Sequence, residues 1–176
     1  MLGRRNVFLI GPMGSGKTAV GKTLARLLRR PFYDSDSEIE HHAGVDIPFI
    51  FEKEGEEGFR QRECQAIEYL TALEPIVLAT GGGAVLRPEN RRHLAERGCV
   101  VYLRTSVAQQ MNRVRRSRNR PLLSNVDARE KLEQLIGIRA PLYLEIADFI
   151  VDTDGRRVRS VAEEVVRQLR GRVNSD

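Results

Sequence analysis

A chain of 176 residues, 41% of them hydrophobic, is long enough to bury the core of one compact domain, which we expect to span residues 1–176. Its 29 basic and 24 acidic side chains leave a net charge of only +5, which together with the apolar content excludes an intrinsically disordered chain. No apolar run approaches the roughly 20 residues of a membrane helix. The apolar stretch at 7–10 is also too short for a signal peptide, so we expect a cytoplasmic protein without a membrane partner.

Short apolar runs alternate with helical patterns along the whole chain. In chain order we predict a strand at 7–10, a helix at 20–28, a strand at 32–33, helices at 35–43, 47–54 and 57–73, a strand at 76–79, a helix at 88–97, a strand at 100–103, helices at 106–114 and 127–145, a strand at 149–151, and a closing helix marked by Val161, Val165 and Leu169. Such alternation predicts an α/β fold, a parallel sheet with helices on both of its faces.

Several helix boundaries carry a local signal. Pro31 ends the first helix, and Gly44, Pro48 and Gly55 separate the helical segments that follow. Asp127 has the residue type of an N-cap, so we expect the helix at 127–145 to begin there.

Residues 11–18 read Gly-Pro-Met-Gly-Ser-Gly-Lys-Thr, which fits G-x-x-x-x-G-K-[ST] between a predicted strand and a predicted helix. Glycines let consecutive backbone N–H groups turn towards phosphate oxygens, and the start of the helix adds its positive dipole end. Lys17 is expected to reach the β- and γ-phosphates and Thr18 to ligate Mg²⁺. The motif therefore predicts a nucleoside triphosphate site, with binding residues Gly14, Ser15, Gly16, Lys17, Thr18 and Ala19.

The triphosphate could be hydrolysed to drive a switch or transferred to a substrate. A hydrolytic switch usually carries acidic residues at the end of a neighbouring strand, whereas the strand at 76–79 runs into Gly81-Gly82-Gly83. The first carboxylates at a strand end are Asp34 and Asp36, which could hold the water shell of a metal and accept a hydroxyl proton. Asp-Ser-Asp is equally a good helix N-cap, and from the spacing alone both interpretations stay open.

Nucleic-acid binding and zinc or thiol-redox chemistry have little support. The arginines are scattered, and the basic stretches at 113–120 and 156–159 contain no aromatic residues on which bases could stack. The two cysteines, Cys64 and Cys99, form no CxxC pair and no His/Cys cluster.

Six motifs occur in a fixed order between residue 11 and about residue 154, and together they resemble the shikimate kinase family. They are GPMGSGKT, Asp34-Ser35-Asp36, Gly58-Phe59-Arg60, Gly81-Gly82-Gly83, Arg120-Pro121-Leu122-Leu123 and Arg139-Ala140-Pro141-Leu142-Tyr143. The resemblance implies transfer of the ATP γ-phosphoryl group to the 3-hydroxyl of shikimate, with Mg²⁺. It also implies a three-layer P-loop fold of the nucleoside-monophosphate-kinase type, with a five-stranded parallel sheet ordered 2-3-1-4-5.

The same resemblance assigns roles to the substrate-side residues, most of them in the region 34–63. It makes Arg60 and Arg139 the clamp for the shikimate carboxylate, for which a guanidinium fork is well suited. It makes Asp36 the candidate general base and Asp34 the contact to Mg²⁺ through water. Arg60 could instead pair on a helix surface with Glu56 or Glu63, and we expect Glu63 to hold it in position.

The remaining implied roles concern the glycine triplet, the nucleotide and a lid. Gly81, Gly82 and Gly83 would let the backbone approach the substrate ring, although a plain turn is the simpler alternative. Residues 115–125 are expected to form a lid whose Arg120 closes on the transferring phosphate, beside Lys17 and Asp36 as catalytic residues. Arg113 matches an arginine associated with the adenine.

Other functions remain as alternatives at this point. A gluconate-type or nucleoside-monophosphate kinase would use the same loop, and a P-loop module that only senses ATP would bind polyanions without transferring phosphate. With shikimate and ATP as its partners, the protein is expected to act as a monomer.

Overall fold

The computed structural model describes residues 5–116 and 125–173. Its strands all run parallel in one sheet of order β2-β3-β1-β4-β5, as predicted. The strands are β1 (Asn6–Ile10), β2 (Phe32–Asp34), β3 (Val77–Ala79), β4 (Gly98–Arg104) and β5 (Phe149–Asp152).

Helices connect the strands and cover both faces of the sheet. They are α1 (Lys17–Leu28), α2 (Ser35–Ala43), α3 (Ile47–Thr71), α4 (Pro88–Arg97), α5 (Val107–Arg116), α6 (Asn125–Ile146) and α7 (Val158–Val173), with a 3₁₀ turn at Ala84–Leu86. Within the described ranges, no helix is both long enough and apolar enough to cross a membrane.

The side chains of β1 point alternately to the two faces of the sheet, and a separate hydrophobic core lies on each face. Val7 and Leu9 pack with buried residues of α1 and α7, whereas Phe8 and Ile10 pack with residues of α3, α4 and α6. A strand that is apolar on both faces is what a central strand of a parallel sheet needs, because helices cover it from both sides. This pattern fixes β1, and with it the glycine-rich loop that follows, in the middle of the sheet.

The register of the sheet brings the sequence motifs to one edge. Asp34, at the end of β2, lies beside Ala79 of β3, and Leu9 of β1 pairs with the same residue. The loop after β1, the Asp34-Ser35-Asp36 segment and the glycine triplet after β3 therefore emerge side by side. The carboxyl edge of an open parallel sheet is the usual place for a ligand site.

The boundaries of the long helices largely follow the predicted signals. Gly55 interrupts α3 with a φ of 72° and a ψ of −176°, so the segments predicted on either side of it are separate helical stretches. Gly44 ends α2 in the left-handed conformation. Across the break in α3, the Arg62 guanidinium binds both carboxylate oxygens of Glu54, at 2.8 and 2.7 Å.

Most elements differ from their predicted bounds by one to three residues, and two of these differences bear on the site. Helix α6 begins at Asn125, so Asp127 lies inside its first turn and is not the N-cap. At this position its negative charge still interacts favourably with the positive end of the helix dipole. Helix α5 continues to Arg116, so the first two residues of the predicted lid are helical, while 117–124 lie outside the described residues.

Candidate active site

The glycine-rich loop has the conformation that an anion cradle requires. Gly14 and Gly16 have φ values of 80° and 88°, a region that residues with a Cβ rarely adopt. The N–H of Ser15 donates to the carbonyl of Pro12 at 3.2 Å, which closes a tight turn, and α1 begins directly afterwards at Lys17. Backbone amides and the start of a helix thus converge on one space, an arrangement that favours phosphate.

Lys17 lies inside this loop, with its side chain almost fully buried. Its ammonium donates to the carbonyls of Gly11 and Pro12, at 2.7 and 2.8 Å. Burial lowers its pKa to about 8, although the charges of Asp36 and Asp34 favour the ammonium. A phosphate group entering the loop would supply the negative charge that this buried cation lacks.

Asp34 has two functions at the end of β2. Its Oδ1 accepts the backbone N–H groups of Asp36 and Ser37, at 2.9 and 3.3 Å, and so caps α2, while its Oδ2 accepts the Thr18 hydroxyl at 2.9 Å. A hydroxyl and a carboxylate oxygen side by side suit Mg²⁺, which prefers oxygen ligands and keeps several waters. No group of three His, Cys, Asp or Glu residues with metal-binding geometry occurs in the described part of the chain, so substrate and water oxygens would have to complete the shell.

Asp36 points into the site with an unsatisfied oxygen. Its Oδ1 is buried and has no hydrogen-bond partner among the described residues. Burial raises its pKa to about 6, and the neighbouring carboxylates of Asp34 and Glu63 act in the same direction. A carboxylate that is short of hydrogen bonds and has a raised pKa is well placed to take a proton near neutral pH.

Arg60 also lines the cavity and is held in place by a buried ion pair. It is 8% exposed, and its Nη1 donates to Glu63 Oε1 at 2.8 Å, while Glu56 is more distant at 3.5 Å and mostly exposed. Arg60 is therefore buried and paired mainly with Glu63, which agrees with the expectation that Glu63 positions it, while Glu56 adds a longer contact from the surface. The Arg60 Nε is buried and has no hydrogen-bond partner among the described residues, and the Arg60 side chain lines the cavity.

Arg139 comes from α6 and faces the same space. Its side chain is half-buried, and its Nε also lacks a hydrogen-bond partner in the described structure. One turn further along α6, the Tyr143 hydroxyl donates to the carbonyl of Gly82 at 2.5 Å, which joins the helix to the glycine triplet. Two guanidiniums with free donors therefore border the triplet from different helices.

Two glycines of the triplet, Gly81 and Gly83, leave no room for a Cβ beside the side chains around them. A Cβ on Gly81 would lie 2.7 Å from Asp36 Oδ1, and one on Gly83 would lie 2.5 Å from both terminal nitrogens of Arg60. A Cβ on Gly82 would lie 3.4 Å from Arg139 Nη1. The sequence-based argument weighed the approach of a ligand against a plain turn, whereas at Gly81 and Gly83 protein side chains already take the space.

On the role that the resemblance implies for Arg60, replacing Gly83 with alanine is expected to raise the KM for a carboxylate-bearing acceptor by about 10-fold or more, because the methyl group displaces the Arg60 guanidinium. The KM for the nucleotide and the Tm are expected to change little, since the far end of a side chain can move. Steady-state kinetics with either substrate varied, together with thermal unfolding, tests this. Gly171→Ala is the matched control, because a Cβ there meets open space; an unchanged acceptor KM in Gly83→Ala would contradict the argument.

The predicted site residues lie around one cavity of about 730 Å³, within the range of small-molecule sites. Its lining includes Gly14, Gly16, Lys17, Thr18, Ala19, Asp34, Asp36, Arg60, Gly81, Gly82, Gly83, Arg113 and Arg139. Ser15 is buried beneath the loop, with its hydroxyl 3.4 Å from the Lys17 ammonium. Arg120 lies outside the described residues.

Arg113 closes the nucleotide side of the cavity. Its guanidinium lies against the phosphate loop, so that a Cβ on Gly16 would be 3.0 Å from Nη1. The Asp154 carboxylate nearby accepts the Thr105 hydroxyl at 2.8 Å and the Ser106 N–H at 3.0 Å, bonds that help keep its pKa below its usual range. Arg113 is thus a cation placed beside the phosphate loop, and its association with the adenine stays a prediction.

Sequence reasoning missed several lining residues. Gln110 of α5 also borders the cavity, as do Lys131 and Leu135, which lie on the same face of α6 as the predicted Arg139. The spacing of these three residues, i, i+4 and i+8, is a helical signal that could have identified the face. Gln110 gives no such signal, because its contact partner is almost a hundred residues away in sequence.

Comparisons with known proteins agree with this site. The sequence model of the family described as shikimate kinase matches residues 13–170. Shikimate kinases from Methylococcus capsulatus and Cupriavidus pinatubonensis are 54% and 58% identical over 94% and 95% of this chain, and over 93% and 87% of their own lengths. The structure of shikimate kinase from Acinetobacter baumannii in complex with shikimate is 47% identical, with a TM-score of 0.91 over 96% of this chain and 94% of that one. The resemblance predicted from the motifs is confirmed, and the chain belongs to the shikimate kinase family of ATP-dependent kinases.

Proposed function

We propose that this chain transfers the γ-phosphoryl group of ATP to the 3-hydroxyl of shikimate, giving shikimate 3-phosphate and ADP in aromatic amino acid biosynthesis. The observation that carries the proposal is the position of Asp36. This carboxylate lines one cavity together with the phosphate loop and two guanidiniums, Arg60 and Arg139. A base placed with a phosphate site and a carboxylate site suits an acceptor that is both an alcohol and an acid.

At the phosphate end, the chain's own groups bind and orient the nucleotide. The N–H groups of the loop at 14–19 would hold the β- and γ-phosphates, and the Lys17 ammonium would balance their charge. Thr18 and Asp34 would hold Mg²⁺, directly and through water, and the ion would screen charge on the triphosphate. Arg113 would lie on the adenine side, and Arg120 would close on the transferring group from the lid.

At the acceptor end, Arg60 and Arg139 would bind the shikimate carboxylate. Each has a buried Nε without a partner in the described structure, and Glu63 leaves Arg60 restricted to one orientation. A guanidinium binds a carboxylate through parallel N–H···O bonds, which fix direction as well as affinity. Holding the acid end in this way would turn one hydroxyl towards Asp36.

The transfer step then needs one proton acceptor. The 3-hydroxyl oxygen forms a bond to the γ-phosphorus, the bond from that phosphorus to the bridging oxygen of ADP breaks, and the hydroxyl proton moves to Asp36. The raised pKa of Asp36, about 6, leaves it ionised at neutral pH and close to the value best suited to this exchange.

Four further expectations from the sequence stay predictions. We propose that residues 1–176 act as one domain, that the protein works as a monomer in the cytoplasm, and that no nucleic acid takes part. Sedimentation of the protein with and without substrates would test the monomer.

An assay that couples ADP release to NADH oxidation tests the proposed function. We expect turnover that requires shikimate, ATP and Mg²⁺ together, and a product whose phosphorus resonance couples to the proton on carbon 3. Gluconate and nucleoside monophosphates serve as control acceptors. The proposal fails if ADP release does not depend on shikimate, or if a control acceptor is phosphorylated with a higher kcat/KM.

A further inference from the structure

A buried glutamine touches the phosphate loop from α5. Gln110 is 2% exposed, and its Nε2 donates to the backbone carbonyl of Met13 at 2.8 Å. Next to it on the helix, Met111 packs in an apolar cluster with Ala128 and Leu132. A buried polar group is unfavourable unless it is hydrogen-bonded, so the bond from Gln110 to Met13 is what makes glutamine acceptable at this buried position.

The contact fixes the orientation of one peptide group. The carbonyl of Met13 and the N–H of Gly14 belong to the same peptide plane and point in opposite directions. Because Gln110 holds the carbonyl on the side of α5, the N–H of Gly14 points away from α5. Met13 and Gly14 both line the cavity beside Lys17.

Glycine makes this orientation easy to lose. Gly14 has a φ of 80°, and a reversal of the preceding peptide would carry φ to a negative value, which glycine adopts as readily. The residue that allows the loop to turn therefore also allows a form in which a carbonyl faces the phosphates. A carbonyl in that position would repel phosphate oxygens and remove one of the N–H donors.

We propose that Gln110 is a positioning residue for ATP, which holds the peptide between Met13 and Gly14 in the orientation that offers the Gly14 N–H to phosphate. It acts through the loop and contributes no group to the reaction. Its second amide atom, Oε1, is buried and has no partner among the described residues, so the single bond to Met13 carries the interaction. The inference rests on the proposed use of ATP.

Gln110→Met tests the proposal, because methionine keeps the length and volume of glutamine and lacks its N–H donor. We expect the Kd for Mg·ADP, measured by titration calorimetry, to rise by about 10-fold, as for the loss of a hydrogen bond to a charged group. The Kd for shikimate and the Tm are expected to stay at the wild-type values. Gln110→Glu, which also lacks the donor and places an anion beside the Met13 carbonyl, is expected to weaken nucleotide binding further.

Gln109→Met is the matched control, since it makes the same exchange one residue earlier on α5. The ¹⁵N–¹H resonance of Gly14 gives a second readout, which should broaden or shift in Gln110→Met and not in Gln109→Met. Wild-type affinity for Mg·ADP in Gln110→Met would overturn the inference. So would a parallel loss of nucleotide binding, shikimate binding and Tm, which would mark a general packing role. Wild-type protein that binds no nucleotide would instead overturn the proposed function, and this inference with it.

Discussion

Replacing Asp36 with asparagine is expected to lower kcat by about 10²- to 10⁴-fold, the usual contribution of a positioned general base. Asparagine keeps the shape of the side chain and can still hydrogen-bond a hydroxyl, so the Kd values for shikimate and ATP should stay within about threefold. Burial and the charges of Asp34 and Glu63 already disfavour the carboxylate of Asp36. Removing its charge should therefore leave the Tm unchanged or raise it.

The measurements are kcat under saturating substrates, both Kd values by calorimetry, and thermal unfolding. Glu38→Gln is the matched control: it removes a carboxylate two residues further along α2, where the His42 ring nitrogen lies 3.4 Å from the carboxylate. It should keep the wild-type kcat. An Asp36→Asn protein with a kcat within about threefold of wild type would exclude Asp36 as the base.

The fold was predictable because its signals are local. Four-residue apolar runs, a glycine loop after the first of them and glycines between helices all act within a few positions of one another. The break at Gly55 illustrates this, since its φ of 72° is a conformation that glycine adopts freely. The start of α6 was missed because Asp127 favours an N-cap and a first-turn position alike.

The roles at the end of β2 needed the structure. Two interpretations of Asp34 were open from sequence, a helix cap and a metal contact, and the geometry accommodates both. Its two carboxylate oxygens face different partners, the amides of α2 and the Thr18 hydroxyl. A pattern of residue types cannot separate functions that one side chain combines.

The pKa of Lys17 and the close packing around the glycine triplet could not be predicted from the sequence either. The pKa of Lys17 is lowered because the loop folds around the ammonium, and glycine is needed at positions 81 and 83 because Asp36 and Arg60 lie against them. Both effects depend on residues brought together from distant parts of the chain. The resemblance to shikimate kinase supplied the roles of Arg60 and Arg139, while their geometry comes only from the structure.

Replacing Arg139 with alanine is expected to raise the KM for shikimate by about 10²-fold or more, because two charge-assisted hydrogen bonds to the carboxylate are lost. ATP binding should be unchanged or slightly tighter. The reason is electrostatic: the charge of Arg139 is one of the influences that lower the pKa of the Lys17 ammonium, so its removal favours the charged form that binds phosphate. The Kd for Mg·ATP and the KM for shikimate, measured on the same preparation, test both halves of the prediction.

Arg129→Ala is the matched control on α6, since it removes an exposed guanidinium whose partner is Glu133, one turn away. It should leave both constants at their wild-type values, because exposed pairs of this kind contribute about 0.3–0.5 kcal/mol. Equal weakening of shikimate and ATP binding in Arg139→Ala would contradict the clamp and would point to a distorted cavity. We expect Arg139→Ala to lose shikimate binding selectively and Arg139→Lys to recover part of it. The part that lysine recovers measures the contribution of the positive charge, and the part that it does not recover measures the contribution of the forked geometry of the guanidinium.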